Sequence, residues 1–114
     1  MIKAEFGIID TIDKKKDYSE YEPEKYHCVA ICDDYINDWW NQLTVVKTYF
    51  HCLDRPNIAL ARFGVTLIPP ESLPAVQEII LQDKRIYSDK RLTDLANLIQ
   101  KAIDEKKFMI HYGV

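Results

Sequence analysis

The sequence predicts an α+β fold in one domain, residues 1–114, with a largely antiparallel sheet of about five strands and about three helices. Three observations point to it. Apolar stretches of strand and helix character follow one another in mixed order, not in strict alternation. One segment, from Leu92 to Ile103, carries an unbroken helical period. A Pro-Asn separator divides two apolar runs in the way a hairpin turn does.

The elements follow in order. Residues 2–9 read as a strand with Ile2, Ala4, Phe6 and Ile8 on one side and Lys3 and Glu5 on the other. Residues 10–25 are charged and poor in aliphatics, which makes them an acidic loop or arm. Residues 26–32 (YHCVAIC) are apolar on both alternating faces and read as a central strand. In residues 33–46, Tyr35, Trp39, Leu43 and Val46 fall at helical spacing, with Asp33 or Asp34 as the N-cap. The runs TYFHCL and IALARFGVTLI, divided by Asp54-Arg55-Pro56-Asn57, predict a β-hairpin, and Gly64 marks a bulge or a bend in its second arm. Pro69-Pro70 ends that strand and opens a helix, capped alternatively by Ser72, that buries Leu73, Val76, Ile79 and Ile80. Leu92, Leu95, Ala96, Ile99, Ala102 and Ile103 then form the apolar stripe of an amphipathic helix capped by Ser88 or Asp89. Phe108–Tyr112 closes the chain as a strand docked into the sheet.

Composition bounds the function. With 47% hydrophobic residues, three glycines and five prolines, the 114 residues suit an ordinary folded core. No apolar run approaches the roughly 20 residues of a membrane helix, and none at the start has signal-peptide length, so the expected compartment is the cytosol and no membrane partner is expected. Cys28, Cys32 and Cys52 are odd in number, which fits reduced thiols in that compartment. Residues 1–38 hold ten acids against five lysines, a balance of −5. Residues 39–114 hold eight acids against ten bases, a balance of +2, which recovers the net −3. Bases are diluted by acids, as in Asp83-Lys84-Arg85 and Asp89-Lys90-Arg91, so nucleic acid is not an expected partner.

Three constellations could carry chemistry. The first is a metal site at His27-Cys28, Cys32, His51-Cys52 and His111. On one strand Cys28 and Cys32 stand roughly 13 Å apart at about 3.3 Å per residue, too far for one tetrahedral ion, and no metal or cofactor is expected. The second is a small hydrolase-like enzyme using His51 and Asp54. On a strand His51 and Cys52 point to opposite faces, so the nucleophile a histidine would activate is missing. The third is Asp33-Asp34-Tyr35-Ile36-Asn37-Asp38-Trp39-Trp40, which packs three carboxylates, a tyrosine and both tryptophans into eight residues. On a helix Asp34 and Asp38 share a face, while consecutive indoles diverge by about 100°, so one tryptophan is expected at the surface beside acids. Ring area with steering charge suits a protein-binding face. Glu20-Tyr21-Glu22 on the acidic arm repeats the pattern.

At that stretch the chain resembles the small acidic inhibitors of bacterial toxins, such as barstar-like proteins and the immunity proteins of contact-dependent growth inhibition systems. The resemblance implies a non-enzymatic protein that binds a basic nuclease domain, with Asp34, Asp38 and Trp39 or Trp40 filling a site meant for substrate phosphates. A homodimer joined through an apolar sheet edge is a further expectation.

Overall fold

The structure is a computed structural model that describes residues 2–113. Those residues form six strands in one sheet and four α-helices, the α+β architecture read from the sequence. The strands are β1 (Lys3–Ile9), β2 (Val29–Cys32), β3 (Lys47–Phe50), β4 (Pro56–Ile58), β5 (Val65–Ile68) and β6 (Phe108–Tyr112). Their order in the sheet is β2-β1-β6-β5-β3-β4, and every neighbouring pair is antiparallel. The helices are α1 (Asp34–Asp38), α2 (Trp40–Leu43), α3 (Leu73–Gln82) and α4 (Lys90–Glu105).

The helices cover one face. Ala4, Phe6, Ile31, Ile68 and Met109 from the sheet meet Leu43, Leu73, Ile80, Leu92, Leu95 and Ile99 in the larger core. The other face is covered by residues 10–26. Tyr18 and Tyr26 from that arm bury against Ile9, Val65, Leu67, Ile110 and Tyr112. The acidic arm therefore covers that face, held because two phenol rings have apolar area to lose and a sheet face to lose it on. Its end, Pro23–Tyr26, is a 3₁₀ turn.

Several expectations are corrected. β2 starts at Val29 and lies at the sheet edge, not at the centre, because Tyr26 belongs to the preceding turn and His27 takes a left-handed conformation (φ 51°) that ends it. Cys28 accordingly precedes the strand. Ile2 is 61% exposed and stands just outside β1 instead of facing inward with Ala4 and Phe6. The single helix over 33–46 is two short ones, since Trp39 (φ −88°, ψ −1°) is a break between α1 and α2. Neither aspartate caps α1 through its side chain. The hairpin is real but short, because the second apolar run is two strands. β4 pairs with one edge of β3 and β5 with the other, and the chain between crosses on the helix side. Two buried threonines hold that crossover: Thr48 Oγ1 donates to the Ala59 carbonyl at 2.7 Å, and Thr66 Oγ1 accepts from the Ala61 N–H at 2.7 Å. Gly64 (φ 131°) makes the bend that ends it, a conformation costly for any residue with a Cβ. Ser72 bonds the Lys47 carbonyl and caps nothing, whereas Asp89 caps α4 through the Arg91 N–H.

Candidate functional site

The acidic-aromatic segment is largely spent on structure. Tyr35 and Trp39 lie four residues apart, stack at 5.4 Å and bury together, Trp39 at 4% exposure. Their polar ends are met by the turn that links α3 to α4. Trp39 Nε1 donates to Asp83 at 2.8 Å, the Tyr35 hydroxyl donates to Asp89 at 2.6 Å, and the Arg85 guanidinium covers the Tyr35 ring at 4.5 Å. Arg85 also donates to Asp83 at 2.6 Å and to Asp38 at 2.8 Å. These donors hold the Asp83 carboxyl well below the usual carboxylate range. The bond to Asp89 and burial push the Tyr35 hydroxyl up to about 12. An indole and a phenol going into a core need partners for N–H and O–H, and Asp83 and Asp89 are those partners. The Asp-Lys-Arg and Asp-Lys-Arg repeats thus serve as sockets.

Ile36 is buried in the larger core, whereas Asp33 and Trp40 are met by Arg62. Asp33 is buried and accepts from Arg62 Nη2 at 3.0 Å, and the Arg62 guanidinium lies 5.5 Å from the half-buried Trp40 ring. Asp34 is exposed. The second tryptophan is therefore neither sealed nor bare: one of its faces is occupied by a cation.

One end of the sheet is where several apolar groups collect. β1 begins there, β2 and β6 finish there, and β5 begins there after the Gly64 bend. The Asp33 N–H bonds the Ile2 carbonyl, and the Gly113 N–H bonds the Gly64 carbonyl, which ties the four strand ends into one rim. On the rim Ile2, Tyr21 and Phe63 are 61%, 60% and 82% exposed. Ile2, Tyr21, Tyr112 and Gly64 border a cavity of about 500 Å³. Tyr21 donates to Glu5 and sets its ring edge against Tyr112 at 5.0 Å. Glu20 is exposed, and the Glu22 N–H bonds the Tyr112 hydroxyl at 3.2 Å. The two acidic segments singled out in the sequence so arrive at one end of the sheet from opposite faces, where Asp34, Glu20 and Tyr21 are exposed, Trp40 is half-buried, and the half-buried Glu22 pairs with Lys25 at 3.7 Å.

Sequence reasoning missed Ile2, Arg62 and Phe63. Ile2 satisfied the alternation of β1, so period alone could not set it apart. Arg62-Phe63-Gly64 did carry a signal, a charge and a glycine inside an apolar run, which marks a chain leaving the sheet.

The other two constellations fare as follows. Asp54 has no hydrogen bond or ion pair with His51 among the described residues; His51 instead has a left-handed backbone (φ 68°) and meets Ser19, whose Oγ lies 3.2 Å from Nδ1. Ser19 in turn donates to Asp17. A serine hydroxyl has one proton, so with Asp17 taking it the imidazole must donate to Oγ. His51 is then no base toward that serine, the reverse of what nucleophile activation requires. Among the described residues no group of three His, Cys, Asp or Glu side chains converges to hold a metal ion. Burial pushes the Cys28 thiol up to about 12, so it is no ready thiolate. No helix of the described residues is long and apolar enough to cross a membrane. No protein-family model, no curated protein and no solved structure matches the chain.

Proposed function

We propose that this chain is a protein-binding module of the cytosol with no chemistry of its own, and that it neutralises a basic toxin, a nuclease domain, by covering its active cleft. The observation that carries the reading is that Ile2 and Tyr21, each at least 60% exposed, border one cavity at the end of the sheet, with Phe63, 82% exposed, next in the chain to the Gly64 that also lines it. Large apolar side chains held together in water mark contact surfaces more often than they mark accident. Aromatic groups that stay rigid before binding lose little entropy on contact. Trp40 extends the apolar area, and its Arg62–Asp33 backing fixes the ring in place.

The acids around the rim supply direction. Asp34, Glu20 and Glu22 belong to the first 38 residues, where the balance is −5. A basic cleft is drawn to that end, and the carboxylates stand where substrate phosphates would. This moves the contact face away from Asp38 and Trp39, which the resemblance to toxin inhibitors had favoured and which are engaged with Arg85 and Asp83.

The test is co-expression with the products of neighbouring genes in the source cell. A toxic nuclease domain that the chain renders harmless, and that co-purifies with it one to one, supports the reading. The Phe63→Ala/Tyr21→Ala chain should lose protection while keeping its far-UV spectrum. Protection that survives this pair of changes rules out the rim as the contact face.

A further inference from the structure

The two edges of the sheet differ in how they meet solvent. At β4 the Phe50 and Ala59 hydrogen bonds to Arg55 and Val46 set the ladder, so Pro56 and Ile58 are the positions whose backbone groups point outward. Proline has no N–H to offer, and the Ile58 N–H is taken by the Asn57 side chain at 2.9 Å. The strand is three residues long. Each of these is a known way to blunt an edge against pairing.

β2, four residues long, has neither the proline nor the side-chain cap on an outward N–H. The Asp33 N–H to Ile2 carbonyl bond sets its ladder with β1, which turns the N–H and C=O groups of Ala30 and Cys32 away from the sheet. Val29–Cys32 contains no proline, no charge and no glycine. Among the described residues no side chain or neighbouring backbone takes up those outward groups. The Cys28 N–H, one step earlier, is bonded to the Pro23 carbonyl and so limits how far the open ladder runs.

We propose that the β2 edge is the docking surface for a second copy of this chain, joined antiparallel about a two-fold axis into a continuous sheet. The axis passes at Ile31, with Ala30 of one copy opposite the partner's Cys32. Each copy then brings two donors and two acceptors in matching order, and the same pairs repeat across the axis, as an isologous interface demands. Charge fits the same arrangement. β2 lies between the exposed His27, two residues before it, and the exposed Asp34, two residues beyond its end at Cys32 and the first of α1, so antiparallel pairing brings the acid of each copy toward the imidazole of the other. A parallel arrangement or an unrelated strand has no such match written into it. Ile2, Tyr21 and Phe63 of the rim are left free, because antiparallel copies carry their rims at opposite ends; Asp34 is shared between rim and seam, and the inference does not rest on the reading of the rim.

Sedimentation equilibrium on the whole chain from about 1 μM to about 1 mM, with amide exchange followed by NMR at both limits, tests it. The expected result is a monomer–dimer equilibrium in which exchange at Ala30 and Cys32 slows about tenfold or more as dimer forms. Ala30→Pro removes an outward N–H, a position where proline is tolerated on an edge strand, and should stay folded and monomeric. Ala30→Lys should do the same and serves if the proline chain does not fold. A chain monomeric throughout overturns the proposal, and so does a dimer in which the Ala30 and Cys32 amides exchange as fast as in the monomer.

Discussion

His111 lies on β6 inside the helix-side core, its ring 4.8 Å from Phe6 and neither ring nitrogen hydrogen-bonded among the described residues. Burial, with Arg62 nearby, holds its pKa down at about 3, against about 6.5 for a free imidazole. The unfolded chain binds a proton below about pH 6.5 that the folded chain refuses, so stability is full above that value and falls by about 1.4 kcal/mol per pH unit as acid is added toward pH 3. Urea midpoints at pH 7.5 and pH 5 should differ accordingly, and His111→Leu should flatten the difference. Equal slopes in the two proteins would exclude His111 as the origin. Asp83 and Asp38 make a second contrast at this scale. Both accept from Arg85, but Asp83 also receives the buried Trp39 indole N–H, while the Asp38–Arg85 pair is solvated on both sides. Asp83→Ala should cost about 1–3 kcal/mol because it leaves an indole donor unsatisfied. Asp38→Ala should change stability by less than about 1 kcal/mol. Equal losses in chemical denaturation would mean that the guanidinium, not the indole, is the partner that matters.

Between elements, legibility followed the period. α3 and α4 lie where their apolar stripes predict, with Leu73, Val76, Ile79 and Ile80 buried on one and Leu92, Leu95, Ala96, Ile99 and Ala102 on the other. β6 is legible for the same reason: FMIHY has no polar face to leave in water. Three things were not legible. At the break the Trp39 indole meets Asp83, 44 residues away in sequence, and no local propensity encodes that partner. The edge position of β2 depends on the arm covering the far face, so a strand apolar on both sides looked central when it was only covered. Of the site, the acids were readable as a class, but which of them face water was decided by Arg62 and Arg85, whose reach crosses the chain. Two substitutions test the elements. Tyr18 is the arm's anchor, and Tyr18→Ala should cost about 3 kcal/mol and speed tryptic cleavage at Lys14 and Lys15. Lys106 ends α4 in the left-handed region (φ 55°), so Lys106→Gly should raise the unfolding free energy by about 0.5–1 kcal/mol, read as a higher denaturation midpoint.

At the scale of the molecule, charge and apolar surface are divided by location: sockets for Tyr35 and Trp39 on the helix side, a hydrophobic rim with acids beside it at one end, of which Glu22 pairs with Lys25. A chain carrying Glu20→Gln, Glu22→Gln and Asp34→Asn should keep its stability and still bind its toxin. Its association rate at low salt should fall about tenfold, and the gap should close as ionic strength rises. A deficit that persists in high salt would assign those residues to contact instead of steering. The order of strands has a separate consequence. β6 sits between β1 and β5 and is hydrogen-bonded to both. Until residues 108–112 leave the ribosome, the nascent polypeptide holds two half-sheets, β2-β1 and β5-β3-β4, that share no strand and leave both inner edges bare. The two halves are therefore zipped only once β6 is made, and a product that stops short of residue 108 is a pair of sticky half-sheets in search of any strand that will serve.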